Sequence, residues 1–127
     1  MDQTQNNIKI NLGDYKSPKA NMFTGRPQGE EVRAKLILDK YDKTNINITF
    51  EVPSGTISIN PSFFLGLLFD SYKNIEEEIF RSKYRFNFDS HPPEIQFILQ
   101  ANIEDGIRYA RNSKNIKQSL NDIFSKK

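Results

Sequence analysis

Ile46, Ile48, Phe50 and Val52 take every second position of INITFEV, and Asn47, Thr49 and Glu51 fill the places between. Such alternation puts apolar side chains on one face of an extended strand and polar ones on the other. No other stretch constrains the fold as tightly, because a half-buried strand demands a sheet with one packed side and one side only partly covered. Pro53-Ser54-Gly55 turns the chain, and Thr56 to Ile59 resumes a short extended piece. SFFLGLLFDSYK then runs from Ser62 to Lys73 with no alternation. That length and its Leu and Phe content predict a buried helix rather than a strand.

The rest of the chain follows the same logic. Ile8, Ile10 and Leu12 alternate and end at Gly13-Asp14, which predicts a short first strand. Tyr15 to Phe23 is ambiguous: Lys16-Ser17-Pro18 has turn character, and Met22-Phe23 is open to a second short strand. TGRPQGEE reads as a turn leading into EEVRAKLILDKYDK, with Arg26 exposed or salt-bridged. Val32, Leu36 and Ile37 recur there at helical spacing, with Glu30 and Glu31 in the first turn and Lys40 and Lys43 near the end. Beyond Asn74, IEEEIF reads as a further helical turn, and Tyr84, Phe86 and Phe88 alternate as another strand. SHPPEI carries a helix-start pattern, with Ser90 as cap and Pro92 or Pro93 in the first turn. Ile95, Leu99, Ile103, Ile107 and Ala110 form the stripe of the next helix, in which Gly106 costs about 1 kcal/mol relative to alanine. Residues 114–127 are expected to form a separate amphipathic tail helix with Ile116, Leu120, Ile123 and Phe124 on one face. Packing of this tail back on the domain is the favoured expectation; the other is an offer to a partner's groove.

Strands alternating with helices predict an α/β fold, a small mixed sheet covered by helices. The 127 residues hold one domain, placed at 7–113 between a frayed segment 1–6 and the tail. Cysteine is absent, which excludes thiol chemistry and disulfides and fits a reducing compartment. No stretch approaches the roughly 20 apolar residues of a membrane span. A net charge of +2, with acids and bases interspersed, gives no nucleic-acid footprint. The expectation is a cytosolic protein with no cofactor.

Asn60-Pro61-Ser62 is the junction that invites a functional reading. Asn60 suits an N-cap and Pro61 the first helical position. Ser62 then falls in the first turn, where a phosphate on its hydroxyl would meet unpaired N–H groups and the positive end of the helix dipole. An ordinary structural serine satisfies the same local pattern. Phe63 and Phe64 divide in expectation, one to the core and one to an exposed docking patch beside Ser62. His91, the only histidine, is expected at the surface or in a cap, and Asp39, Asp42, Asp70 and Asp89 lack the spacing of a metal cage.

GEEVRAKLI, INITFEV, ISINPSFFLGLLFDSY, FRSKYRFNF and PPEIQFIL together resemble the STAS-like family of unknown function in bacteria, related to sulfate-transporter and anti-sigma-factor-antagonist domains. Arg26, Gly29 and Arg33 match the part before the first helix, and Asn60, Pro61, Ser62 and Phe63 the junction. The resemblance implies a STAS-like fold over about Ile8 to Ser113. It also implies a non-catalytic regulatory module, with Ser62 in the place of the serine phosphorylated in antagonists. The implied partner is a histidine-kinase-like ATPase or a regulator it controls, docking on Asn60, Pro61, Ser62, Phe63 and Phe64. The antagonists' Asp-Ser-Ser-Gly junction is replaced here, with Asn60 for the acid and Phe63 for the glycine. The alternative is an unphosphorylated structural subunit of a multi-protein bacterial defence or stress complex. A small-ligand or nucleotide sensor is a third class, and an enzyme is the least expected because no acid–base or nucleophile constellation assembles.

Overall fold

Every run that alternates in the sequence becomes a strand, and all of them are short. In the computed structural model, which describes residues 6–15 and 21–125, Asn7–Asn11 (β1), Asn47–Glu51 (β3) and Tyr84–Asn87 (β5) form one sheet in the order β1-β3-β5. Met22–Phe23 (β2) and Ser58–Ile59 (β4) form a second, two-stranded sheet. The fold is α/β, as expected. All strand pairings among the described residues are parallel rather than mixed. Parallel neighbours need a crossover, and helices supply it.

Register sets the two faces of the larger sheet. Ile8 and Ile10 pair with Ile48 and Phe50, which pair with Tyr84 and Phe86. These six side chains share the packed face. The opposite face carries Lys9, Asn47, Thr49 and Arg85, and it is open and polar. The half-buried strand inferred from INITFEV is the central one, and the packed-and-open sheet it demanded is the one observed.

The helices are Arg26–Leu36 (α1), the single turn Asp39–Asp42 (α2), Pro61–Tyr72 (α3), Glu77–Lys83 (α4) and Pro93–Ser125 (α5). Helix α3 is the centre of the core, with Phe63, Phe64, Leu67, Leu68, Phe69 and Tyr72 all at 3 % exposure or less. Helix α5 lays Leu99, Ile103, Ile107 and Ala110 on it. Gly106 has its reason here: a Cβ at that position would come within 2.5 Å of the Phe64 ring.

Four sequence expectations are corrected. Helix α1 starts at Arg26, so the Gly-Pro-Gly stretch lies at and inside the helix rather than before it. Gly25, at φ 89°, makes the entry, Pro27 sits in the first turn, and Gly29 packs against α3. The helix also ends earlier, at Leu36, where Ile37 turns left-handed at φ 53° and sends the chain into α2. Lys40 therefore belongs to α2 and Lys43 follows it. His91 is buried, its ring nitrogens 3.2 Å from the Phe88 carbonyl oxygen and 3.0 Å from that of Pro53. Finally, no break separates a domain ending at 113 from a tail at 114, because α5 runs through both. Past residue 113 the apolar side of α5 is not packed back on the domain: Ile116, Leu120, Ile123 and Phe124 are 46–76 % exposed. Lys114 and Lys117 reach back to the domain, over the rings of Tyr72 and Phe69. Met1–Gln5 and the Lys16-Ser17-Pro18 turn lie outside the described residues.

Ion pairs lock α4 to α5. The Glu77 carboxylate accepts from Arg111 at 2.9 and 3.0 Å, from the Tyr72 hydroxyl at 2.7 Å and from Arg81 at 3.3 Å. Arg111 above all, with help from Tyr72 and Arg81, outweighs the desolvation that opposes it and holds the Glu77 carboxyl down at about 2 instead of 4.5. A depressed carboxyl stabilises the fold above its unfolded value and loses that contribution as pH falls through the folded one. Stability is therefore expected to drop between about pH 4.5 and about pH 2. In Glu77→Gln that drop should be smaller. Urea midpoints across this range measure it, and identical pH slopes in the two proteins would contradict the assignment.

Candidate functional site

Two strand-to-helix passages lie side by side. β2 leads through Thr24-Gly25 into α1, and β4 leads through Asn60 into α3. Their strands pair in parallel, and the Asn60 N–H extends the pairing by donating to the Phe23 carbonyl at 2.8 Å. The helices then touch backbone to backbone. A Cβ on Gly29 would lie 2.2 Å from the Phe63 carbonyl oxygen, and one on Gly66 would lie 2.1 Å from that of Arg26. Only glycine at both places permits this approach. Both helices thus present their N-termini at the same end of the molecule, and their dipoles add there.

Ser62 sits at that end. Asn60 is extended, at φ −69° and ψ 140°, and caps α3 as its sequence position predicts. Its Oδ1 accepts from the Ser62 N–H at 2.8 Å and from the Ser62 hydroxyl at 2.6 Å. Pro61 contributes no N–H, and the Phe64 N–H reaches the Asn60 carbonyl at 3.1 Å. Phe63 alone in this turn has an N–H without an acceptor among the described residues. The Ser62 side chain is half-exposed, so its hydroxyl is reachable, while the cap claims most of the amides an anion at α3 would use. The α1 end is less occupied, since Gly25 offers no side-chain cap.

The expected docking patch is smaller than the sequence suggested. Phe63 and Phe64 are both buried, at 0 % and 1 % exposure. Phe63 packs on Phe23 with ring centroids 5.1 Å apart, and Phe64 lies between Phe80 and Phe86 at 6.3 and 6.0 Å. They cannot anchor a partner. The reason is the all-round apolar character of α3, which leaves neither ring a solvent side. Asn60, Pro61 and Ser62 remain at the surface, with Asp70 and Lys73 further along the helix.

Sequence reasoning missed a buried polar cluster on the far side of α1. Arg33 donates to the Leu67 carbonyl and the Ser71 hydroxyl, each at 2.9 Å, and to Asp39 and Asp42 at 2.6 and 3.2 Å. Asp42 also accepts from the Ser71 hydroxyl at 2.7 Å and from the Tyr84 hydroxyl. Burial first, and then the Asp42 carboxylate, push the Tyr84 hydroxyl well above the usual tyrosine range. Next to this cluster Lys83 is buried and donates to the carbonyls of Thr44 and Ile46 at 2.7 and 2.8 Å, and desolvation lowers its pKa. A signal was present: Arg33 falls one turn after Gly29, next to Val32, on the face of α1 that must be buried. The cluster ties α1 and α2 to α3 and β5, and every polar atom named is satisfied, which marks it as a structural lock rather than a reactive centre. Among the described residues no group of acids and histidines could hold a metal ion, and no helix is long and apolar enough to cross a membrane.

Compared with family models, curated proteins and solved structures, the chain shows no match.

Proposed function

We propose that the protein is a non-catalytic regulatory module that binds another protein through the Asn60–Ser62 end of α3 and is switched by phosphorylation of Ser62. One observation carries this reading: a reachable serine hydroxyl stands where two parallel helices begin together. Phosphate there adds between one and two negative charges at the favourable end of both dipoles. It also displaces the hydroxyl from Asn60, because a phosphate oxygen cannot donate to Oδ1. The modified junction would thus differ in charge and in cap geometry, and a partner docked on Asn60 and Pro61 would sense both. The resemblance to STAS-like and antagonist domains supports the same assignment and suggests a histidine-kinase-like ATPase, or a regulator under its control, as partner.

Peptide mapping of the full chain recovered from its own cells tests the switch, with phosphate expected on the peptide containing Ser62 and none in Ser62→Ala. Pull-downs with wild type, Ser62→Ala and Ser62→Glu are expected to recover an ATPase or regulator whose retention differs between the last two. No phosphate on Ser62, together with identical retention by all three, overturns the proposal. The alternative, a constitutive structural subunit of a larger complex, draws support from the exposed apolar side of α5 beyond Lys117. Its signature is co-purification that ignores both ATP and substitutions at Ser62.

A further inference from the structure

Among the described residues no strand pairs with the outer edge of the main sheet at β5, and a cleft runs along it. The Asn87 carbonyl accepts from the Val52 N–H at 2.9 Å, so the peptide groups of Asn87, and two residues earlier of Arg85, face β3. By the alternation of a strand, those of Tyr84, Phe86 and Phe88 face outward. The Tyr84 N–H is satisfied by the Phe80 carbonyl, and the Phe88 carbonyl by the His91 N–H. That leaves the Tyr84 carbonyl, both polar groups of Phe86 and the Phe88 N–H without partners among the described residues. They are two acceptors and two donors in the order an added strand would use.

The facing wall of the cleft is helix α5, through Gln100, Ile103, Glu104 and Ile107. Its floor is Phe64, Phe80 and Phe86, and its volume is about 210 Å³. That is below the roughly 300–1,000 Å³ of a small-molecule pocket, but it suits one or two side chains of a strand. One end is closed by the Arg81–Glu104 pair, bidentate at 2.9 Å. Arg85 projects at the rim on the polar face of the sheet, exposed and in none of the ion pairs of the described residues.

The geometry points to this cleft as a docking site for an extended peptide segment of a partner protein, added as a fourth strand beside β5. Main-chain hydrogen bonds to Tyr84, Phe86 and Phe88 supply the attachment. Alternate side chains of the segment enter the apolar floor, and the residues between them lie beside Arg85, where an Asp or Glu is favoured as the cross-strand neighbour. A second copy of this chain is the poorer occupant, because it would bring a second cationic Arg85 to the rim where an acidic segment is favoured. The site is independent of Ser62, which lies at the start of α3.

Selection of a displayed library of random decapeptides on the full chain tests this. Enriched peptides are expected to alternate apolar residues and to carry an acid. Added to the isotopically labelled protein, a synthetic copy should move the Phe86 and Phe88 amide signals and slow their hydrogen exchange. N-methylation at alternate amides of that copy should abolish binding, and Arg85→Glu should weaken it about fivefold. The proposal is overturned by failure to enrich any alternating peptide, by signal changes confined to another surface, by full binding of the N-methylated copy, or by self-association through β5 in place of peptide uptake.

Discussion

Gly66→Ala is expected to cost more than about 3 kcal/mol, a large share of the roughly 5–15 kcal/mol by which a domain is stable. The added methyl would sit 2.1 Å from the Arg26 carbonyl oxygen and 2.9 Å from the Glu30 N–H. Neither is the end of a flexible side chain. Both belong to the backbone of α1, so relief requires the two helices to move apart along their whole contact. That separation would pull Arg33 from the Leu67 carbonyl and from Ser71. Gly55→Ala is the comparison: φ there is 89°, but a Cβ meets nothing within 4 Å, so only backbone strain of about 1–2 kcal/mol is added. Urea denaturation of the two variants measures the difference. Equal losses would mean that close approach of α1 and α3 contributes nothing beyond backbone conformation.

Asp42→Ala is the second large effect, at about 3 kcal/mol. Arg33 and Asp42 have side chains only 8 % and 13 % exposed, and removal of the carboxylate leaves the guanidinium, the Ser71 hydroxyl and the Tyr84 hydroxyl short of their acceptor. Asp39 still pairs with Arg33 from its exposed position, which keeps the cost at the lower end for a broken buried pair. The double variant Arg33→Met with Asp42→Leu is expected to lose clearly less than the sum of its two single changes, because both buried charges then disappear together. Strict additivity in that cycle would show that the two residues are not coupled.

What could be read from the chain depended on how far away the reason for each residue lay. INITFEV and the Asn60-Pro61 cap are local patterns, and they were legible down to the residue. Gly29 was not, because its reason is Gly66, far along the chain, and a glycine two residues after a proline looks like a turn when its packing neighbour is unseen. The same limit applies to Phe63 and Phe64. Sequence shows two adjacent aromatics, which a helix places about 100° apart, but only the crowding of α1, α5 and the sheet around α3 decides that both lie inside. Arg33 was noticed for its match to a family pattern rather than for its burial. His91 was assigned to the surface or a cap from its proline neighbours, whereas its ring is buried beside the carbonyl oxygens of Pro53 and Phe88, from separate loops. Of the candidate site, the Ser62 junction was legible and its companion at the start of α1 was not, since nothing local says that two strands of two residues each will pair.

Helix α5 spans 33 residues, so at 1.5 Å per residue it is about 50 Å long, while its last core side chain is Ala110. Beginning a helix is the costly step, and lengthening one already begun is nearly neutral for each added turn. The domain meets the first cost, which is why NSKNIKQSLNDIF, poor in strong helix formers, can continue as helix into open water. Its ordering is therefore borrowed. Warming should unwind that end residue by residue from the tip inward, with no sharp transition of its own, and the unwinding should halt at the turn where Lys117 and Lys114 reach Phe69 and Tyr72.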